Sequence, residues 1–294
     1  MPDSSPIPLF GPASTAGRIN DVRISIDARL ANIVPSAQTW PVRLHEAQRH
    51  ALLAPGKRFR PLLCVFIARG GGDNRAIHKA AIDIGCVAEM VHAASLILDD
   101  LPCMDDADIR RNQATTHIEF DESTAILTAT ALLNRAFGIL VRLENVDADV
   151  KTELVDMLSY AVGSKGLIAG QIADLANTDS SASLAEIERL NTLKTGALFD
   201  FSVEAAAVLT GLSAARRAAL KDFAHHLGLA FQLMDDVKDT VMSQTQAGKS
   251  TGRDAGKATI LAISGSAAAL ERLSGYIHMA KDALARAEMS NMDV

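Results

Sequence analysis

Two aspartate clusters are the feature of this chain that most directly suggests chemistry. They are Asp99-Asp100-Leu101-Pro102-Cys103-Met104-Asp105-Asp106 and Asp235-Asp236-Val237-Lys238-Asp239, and each follows an apolar run. Two carboxylates about 4 Å apart repel each other by roughly 4 kcal/mol at an effective dielectric of about 20. A chain that contains two such clusters is expected to neutralise them with a hard cation. Mg²⁺ fits, because it takes oxygen ligands and is usually shared with phosphates.

The spacing within and around the clusters favours helices that face each other. Asp235 and Asp239 lie one helical turn apart and share a face, with Gln232 one turn earlier. His92 lies two turns before Asp99 on the same face. One Asp-Asp pair is more often a solvated helix end, but two clusters that both follow apolar helices indicate a functional site. We therefore predict a magnesium–diphosphate site between two helices.

Short groups of cations accompany the acids. Gly56-Lys57-Arg58-Phe59-Arg60-Pro61 lies at a predicted helix start, where free N–H groups also favour anions. Arg110-Arg111 follows the first aspartate cluster, and Lys194-Thr195-Gly196 and Gly248-Lys249 lie in the second half of the chain. Arginine binds phosphate oxygens bidentately and lysine acts as a point charge. Each group alone is an ordinary surface feature, whereas their combination with two acid clusters indicates diphosphate binding.

Composition limits the possible classes. The chain has 294 residues, of which 48% are hydrophobic and 4% aromatic, which favours close-packed helices with a sizeable core. A net charge of −6 offers no general surface for nucleic acid. Cys64, Cys86 and Cys103 have no CxxC spacing, so we do not expect a zinc site. We expect the protein to work in a reducing cytoplasm. No uninterrupted apolar run reaches the roughly 18 residues of a membrane span, so we do not expect one.

Helical periodicity predicts the elements that must position these residues. We expect an all-α fold with a flexible tail over residues 1–17 and one large helical domain over residues 18–294. No alternating strand pattern is evident. The predicted helices lie at residues 19–33, after Pro41, and at 58–70, 75–98, 122–144, 150–167, 184–209 and 214–241, with a helix pair at 259–289.

Taken together, these motifs resemble those of trans-isoprenyl diphosphate synthases, most closely the bacterial geranylgeranyl diphosphate type. The resemblance covers nearly the whole chain after the tail. It rests on six stretches: residues 56–61, 91–111, Gly170-Gln171-Ile172-Ala173-Asp174, Lys194-Thr195-Gly196, 231–239 and Asp254-Ala255-Gly256-Lys257. It implies an all-α homodimer with a deep central cavity. There, Mg²⁺ would support head-to-tail condensation of isopentenyl diphosphate with an allylic diphosphate.

The resemblance also assigns roles to individual residues. The implied magnesium ligands are Asp99, Asp100 and Asp105 on one side and Asp235 and Asp239 on the other; these residues, apart from Asp239, and Lys194 form the predicted catalytic set. The allylic diphosphate is assigned to Arg110, Lys194 and Lys249, and Thr195 is a further predicted substrate-binding residue. Isopentenyl diphosphate is assigned to Lys57, Arg60, His92 and Arg111. Gln171 and Gln232 are expected to orient metal-bound water or substrate.

Small residues before the first cluster predict a long product. One helical turn, about 5.4 Å, is roughly the reach of a five-carbon unit. Ala94 and Ser95, just before Asp99, leave room for a growing chain, and Val91 or Met90 one turn lower would form a floor. We therefore predict the twenty-carbon product, and expect Ala94→Tyr to shorten it to fifteen carbons.

One departure from the family and four alternatives remain open at this point. Asn112-Gln113-Ala114 stands where the family usually has Gly, a basic residue and Pro, which predicts a looser loop. The alternatives are a farnesyl diphosphate synthase, a non-catalytic modulatory subunit, a class I terpene cyclase and a di-iron bundle. The cyclase motif is missing at residues 235–243, and Glu89-x-x-His92 is one ExxH where a di-iron site needs two.

Overall fold

The computed structural model describes residues 15–72, 74–176, 183–241 and 259–289, and these are overwhelmingly helical. The helices are α1 (Thr15–Ile33), α2 (Val42–Leu52), α3 (Phe59–Gly70), α4 (Arg75–Asp99), α5 (Thr116–Glu119), α6 (Glu122–Val141), α7 (Ala148–Val162), α8 (Leu167–Ala176), α9 (Leu184–Asn191), α10 (Ala197–Leu209), α11 (Ala214–Val241) and α12 (Ile260–Arg286). A π-helical turn, Thr192–Gly196, joins α9 to α10, and a two-stranded hairpin pairs β1 (Ile109–Arg110) with β2 (Gln113–Ala114).

Helix α4 runs through the centre of the molecule and carries the first aspartate cluster. Its start is set by Asn74, whose side chain accepts hydrogen bonds from the N–H groups of Ala76 and Ile77 at 3.0 and 3.4 Å. It is packed against α1, α3, α6 and α10, and most of its side chains are buried. Burial of this apolar surface supplies the main driving force that holds Asp99 at a fixed position.

Helix α11 carries the second aspartate cluster and packs mainly against α12 and α10. A second, smaller apolar cluster joins α9, α11 and α12 through Ile187, Leu233, Leu273 and Tyr276. The Tyr276 hydroxyl donates to the Glu188 carboxylate, which ties α12 to α9. The C-terminal half of α11 is thereby held opposite the end of α4.

Several element boundaries differ from those expected from the sequence. Helix α1 begins at Thr15, inside the predicted tail, because helical bonding extends about two turns before its first buried residue, Val22. The helix expected over 150–167 is two helices, separated by a turn at Gly163–Gly166. The helix expected over 184–209 is interrupted by the π-helical turn. The expected C-terminal helix pair is present within Ile260–Arg286, as a short first helix and a long second one that meet at a kink at Gly265, whose angles of 75° and 164° are non-helical.

Two helices, α4 and α6, are long and apolar enough to cross a membrane by length and mean hydropathy. The expectation concerned uninterrupted apolar runs and is not contradicted, because polar residues interrupt both helices even though the mean hydropathy of each passes this test. The most apolar window of α4 is 72% buried, as in the core helix of a folded domain. That of α6 is 39% buried, which leaves an apolar face on the outside of the described structure.

Candidate active site

The two aspartate clusters line one cavity of about 670 Å³ between α4, α8, the π-helical turn and α11. Asp99 and Asp105 reach it from the end of α4 and the following loop, and Asp235 and Asp236 reach it from α11. The loop is folded back by a hydrogen bond of 2.8 Å from the Asp105 N–H to the Asp99 carbonyl. The predicted convergence of the two clusters is therefore what the fold produces.

Burial, with a smaller contribution from neighbouring carboxylates, makes the acids of the first cluster costly to ionise. Burial raises the pKa of Asp99 to about 6, with a further increase from Asp105 and an opposing effect of Lys194. Burial likewise raises the pKa of Asp100, although its hydrogen bond to Arg110 opposes the rise. A cation at this position would favour the ionised carboxylates, which is the electrostatic property expected of a metal-binding acid cluster.

The donor set fits a shared magnesium ion rather than an enclosed metal. Among the residues that the structure describes, no three His, Cys, Asp or Glu side chains converge as a complete metal cage. Mg²⁺ does not need one, because it keeps several waters and is commonly held by one or two carboxylates together with substrate phosphates. Asp99 and Asp105 on one wall and Asp235 on the other fit that kind of site. Nothing is described of the Asp239 side chain.

Asp100 differs from its predicted role, since its carboxylate is engaged by Arg110. The Nε of Arg110 donates to both Asp100 oxygens at 2.7 and 2.9 Å, and the Nη2 lies 2.6 Å from Oδ1. Asp100 is 3% exposed and lies away from the wall of the large cavity. This bidentate pair aims Arg110 along the cavity wall beside Asp99. Asp100 is thus placed to orient an arginine, and direct metal ligation by it stays a prediction.

Arg60, His92 and Arg111 line one end of the cavity and are called here the arginine pocket. Arg60 is buried, its guanidinium lies 4.7 Å from the Phe199 ring centroid, and its Nε has no hydrogen-bond partner among the described residues. Burial lowers the pKa of Arg60 to about 10. A buried guanidinium with an unused donor is costly in the absence of an anion, so the pocket is suited to a phosphate group.

His92 is neutral in this pocket. Burial lowers its pKa well below the ordinary value, and the positive charges of Arg60 and Arg111 lower it further. A neutral imidazole among arginines serves as a hydrogen-bonding group and adds no charge. This fits the predicted role of His92 as a ligand of the substrate.

The three cations at the start of α3 lie in different environments. Lys57 is exposed and lies outside the cavity wall, unlike its predicted place among the substrate-binding residues. Arg58 is buried and bonded to Asp27 and Glu89 at 2.8 and 2.7 Å. Arg60 alone of the three lines the cavity. The difference arises at Arg58, whose left-handed φ of 51° turns the chain just before the helix begins.

The π-helical turn presents Lys194 and Thr195 to the cavity. The Nζ of Lys194 lies 2.6 Å from an oxygen of Asp174 on α8. The Thr195 hydroxyl donates to the Gln232 amide oxygen at 2.7 Å, and the Gln232 amide nitrogen donates to Asp236 at 2.9 Å. Wider turns of this kind are common at functional sites, since they shift side chains out of helical register. Here the shift joins the turn to the second aspartate cluster.

Gln171 also lines the cavity, as predicted. Its amide nitrogen lies 3.7 Å from the Met104 sulfur, and its buried amide oxygen has no hydrogen-bond partner among the described residues. Such an oxygen is an acceptor for a substrate or metal-bound water. Lys249 falls outside the described residues.

The residues predicted to set product length divide into two groups. Ser95 lines the cavity, whereas Ala94, Val91 and Met90 are fully buried in the hydrophobic core. Apolar side chains from α8, α9 and α10 also line this cavity, among them Leu167, Ile168, Ile172, Ile187, Leu190 and Leu198. The structure thus brings Ser95, but not the other three, to the cavity surface.

The hairpin that carries Arg110 and Arg111 is joined to α2 by hydrogen bonds to His50. Arg111 and Asn112 form the turn with φ of 54° and 62°, and asparagine tolerates this left-handed region better than most residues. The Gln113 amide donates to the His50 carbonyl at 3.1 Å, and a His50 ring nitrogen contacts the Ala114 carbonyl oxygen at 2.8 Å. The expectation that this loop is looser than in the family stays a prediction.

Two acids in the site were given no role by sequence reasoning. Asp174 pairs with Lys194. The sequence feature that could have pointed to Asp174 is its position at the end of the stretch from Gly170 to Asp174, which carries part of the family resemblance. Glu89 pairs with Arg58 and lies 3.7 Å from Arg111. Glu89 was weighed only as part of an ExxH pair, because its partners are distant in sequence.

An all-α fold, acids from two helices around one deep cavity and arginines at its end are features of a prenyltransferase. The family model described as polyprenyl synthetase matches residues 41–288. The chain belongs to this family.

Individual relatives agree with that assignment. The chain is 41% identical over 262 residues to a geranylgeranyl diphosphate synthase of Pantoea ananas, covering 89% of this chain and 85% of the relative. It is 35% identical over 275 residues to a farnesyl diphosphate synthase of Geobacillus stearothermophilus, covering 92% and 91%. A Helicobacter pylori geranyltransferase solved with magnesium and isoprenyl diphosphate superposes with a TM-score of 0.86 at 26% identity, covering 97% of each chain.

Proposed function

We propose that this prenyltransferase condenses isopentenyl diphosphate with an allylic diphosphate and stops at the twenty-carbon geranylgeranyl product. The observation that carries the proposal is the single cavity in which acids of α4 and α11 face each other beside the arginine pocket. Two diphosphate groups can bind there at once, one through Mg²⁺ held by the acids and one at the arginines. The similarity to geranylgeranyl diphosphate synthases supports the product, and a farnesyl product by the same chemistry is the alternative.

Mg²⁺ is the proposed metal, held by Asp99, Asp105 and Asp235. When bound, it would supply positive charge that stabilises the departing diphosphate. Arg110, oriented by Asp100, and Lys194, oriented by Asp174, add fixed positive charge along the same wall. These charges are prearranged in a partly buried site, where electrostatic stabilisation is stronger than in water.

The chain's own residues then need to hold two substrates and exclude water. Cleavage of the allylic C–O bond leaves a carbocation, and the double bond of isopentenyl diphosphate, anchored at the arginine pocket, supplies the electron pair for the new C–C bond. The proton lost afterwards passes to the departed diphosphate, so no side-chain base is needed. Neutral His92 is a ligand of the second substrate in this scheme.

We further propose that the protein is a homodimer that works in the cytoplasm. Helix α6 exposes Ile126, Leu127 and Val141 at 46%, 63% and 60%, and a second copy is the proposed occupant of this apolar face. Cys64, Cys86 and Cys103 are free thiols, in keeping with a reducing compartment.

A product assay tests the function. Purified protein is incubated with Mg²⁺, isopentenyl diphosphate and, separately, dimethylallyl, geranyl or farnesyl diphosphate, and the hydrolysed alcohols are sized by chromatography. We expect a twenty-carbon alcohol that disappears in Asp99→Ala and in the presence of EDTA. A fifteen-carbon end product would favour the farnesyl alternative, and no condensation with any starter would favour a modulatory subunit.

A further inference from the structure

Glu89 is a buried carboxylate behind the arginine pocket that the reaction scheme above does not use. It lies on α4 one turn before His92, and its residue exposure is 3%. An ionised carboxylate is rarely buried to this degree unless it is paired. It stays outside the cavity wall, so it is not placed to touch a substrate.

The partners of Glu89 come from two segments that are distant in sequence. Oε1 accepts a hydrogen bond from Nη1 of Arg58 at 2.7 Å and lies 3.7 Å from Nη2 of Arg111. Arg58 is further fixed by Asp27 and by the Ala54 carbonyl oxygen at 2.8 and 3.0 Å. One carboxylate oxygen thus joins the segment before α3 to the turn of the hairpin.

The close packing around this oxygen depends on the chain before α3. A Cβ on Gly56 would lie 3.0 Å from Nη1 of Arg58 and 3.1 Å from Nη1 of Arg111. The two guanidinium groups therefore lie side by side against Gly56. Like charges so close together repel, and the carboxylate of Glu89 between them offsets that repulsion.

We propose that Glu89 is a positioning residue: it holds Arg111, together with Arg58, so that the arginine pocket is prearranged for the diphosphate of isopentenyl diphosphate. This inference rests on the proposed function. Asp100, the residue that follows the end of α4, pairs with the neighbouring Arg110 in a similar way. Two adjacent arginines are thereby directed by two buried carboxylates, one on α4 and one just after it. Arg110 is directed towards the acid clusters and Arg111 towards the arginine pocket.

The test compares substrate-specific kinetics of Glu89→Gln with those of the wild type. We expect the KM for isopentenyl diphosphate to rise about tenfold, the scale set by a lost hydrogen bond to a charged group. The KM for the allylic substrate is expected to change less than twofold. The matched control is Asp83→Asn, which removes a carboxylate partner of Arg29 from α4 outside the site and should leave both KM values unchanged.

Two further measurements separate positioning from general damage. In a double-mutant cycle, Glu89→Gln should add little to the effect of Arg111→Gln, because both act on the same contact. If Glu89→Gln does not fold, Glu89→Asp keeps the charge with a shorter reach and should raise the KM for isopentenyl diphosphate by itself. Unchanged KM, equal rises for both substrates or fully additive effects would each overturn the inference.

Direct binding separates this inference from the proposed function. Inorganic pyrophosphate is titrated calorimetrically into wild type and Glu89→Gln without Mg²⁺, so that binding depends on the chain's cations alone. We expect about tenfold weaker binding to the variant, on the same scale of a lost hydrogen bond. Equal binding contradicts the role of Glu89 even if the enzyme condenses substrates. Absence of condensation in the wild type contradicts the proposed function even if the variant binds more weakly.

Discussion

The charged side chains of this site work as pairs whose members come from different elements. Arg110 is held by Asp100, Lys194 by Asp174, and Arg58 by Glu89. In each pair a buried or partly buried acid limits the directions that a long cation can take. Preorganised cations need little rearrangement when charge develops on a leaving group, which is how such pairs contribute to catalysis.

A half-buried acid outside the site gives a pH-dependent prediction. Burial raises the pKa of Asp200 on α10 from 3.8 to about 7, with a further rise from Glu204, and its Oδ1 has no hydrogen-bond partner among the described residues. The folded protein therefore holds a proton that the unfolded chain releases, and stability is lost as pH rises between these values. We expect Asp200→Asn to raise Tm at about pH 8 by about 2 °C or more.

The Tm difference between Asp200→Asn and wild type should shrink towards about pH 5, where the carboxyl of the wild-type protein is mostly protonated. Asp156→Asn, at an exposed position on α7, is the control and should show no such pH dependence. A constant difference at every pH would show that titration of Asp200 is not the cause. Scanning calorimetry over this range gives the result.

A second prediction at the level of single residues concerns product length. Ser95 lines the cavity, whereas Ala94 is fully buried in the core. We expect Ser95→Phe to shorten the product from twenty to fifteen carbons because its ring would occupy the space of the last five-carbon unit. Ala94→Tyr should also lower Tm, since an aromatic ring placed in a packed core strains its surroundings.

The prenyl alcohols from both variants are sized by chromatography, and Tm is measured alongside. Ser95→Ala is the control and should keep the wild-type product length. A twenty-carbon product from Ser95→Phe would mean that the hydrocarbon chain follows another path through the cavity.

At the scale of elements, close packing of α8 against the π-helical turn sets the position of Lys194. A Cβ on Gly170 would lie 2.3 Å from the Lys194 backbone nitrogen and 2.6 Å from its Cα. On the other side of the turn, a Cβ on Gly228 would lie 3.2 Å from the Cα of Gly196. Glycines on both neighbouring helices therefore allow the backbones to approach, and the turn is confined between them.

We expect Gly170→Ala to displace the π-helical turn, because the added methyl group would meet backbone atoms that cannot rotate away. The free energy of unfolding should fall by about 1–3 kcal/mol, the range seen for overpacking. Condensation activity should fall further than the loss of folded protein explains, because Lys194 would move away from Asp174. Denaturant unfolding and specific activity are measured on the same preparation.

Gly275→Ala on α12 is the matched control, since no atom lies within 4 Å of the added Cβ. It should be neutral or stabilising by about 0.5–1 kcal/mol, as expected for alanine in a helix interior. If Gly170→Ala behaves like Gly275→Ala, the packing argument for the π-helical turn is incorrect.

At the scale of the whole molecule, α6 leaves part of its apolar surface uncovered in the described structure. Its outward side chains include Ile126, Leu127 and Val141, while α4, similarly apolar, is mostly buried. Leu127→Glu should convert the proposed dimer into a monomer, because burial of a charge in an apolar interface is unfavourable. Sedimentation velocity measures the mass.

The control for the assembly prediction is Leu270→Glu, which changes a residue of similar exposure, 54%, on α12. It should leave the mass unchanged. A wild-type monomer would reject the homodimer, and an unchanged dimer in Leu127→Glu would assign the interface to another face.

The sequence alone was sufficient for the class of fold, the two acid clusters and most of the polar residues that line the cavity. These follow from local signals: helical periodicity marks α4 and α11, and charges at the ends of apolar runs mark Asp99 and Asp235. Motif spacing added the family resemblance, which the comparisons confirm. Local signals do not depend on which distant segments meet.

Only the tertiary structure decided which of the predicted cations reach the cavity and which acids hold them. Arg60 lines the cavity whereas Lys57 is exposed, and the carboxylate of Asp100 holds the guanidinium of Arg110. The pairing of Glu89 with Arg58 also joins segments far apart in the chain. Such pairings depend on distances of a few ångströms between backbones, which are set by how the helices pack and which no local periodicity encodes.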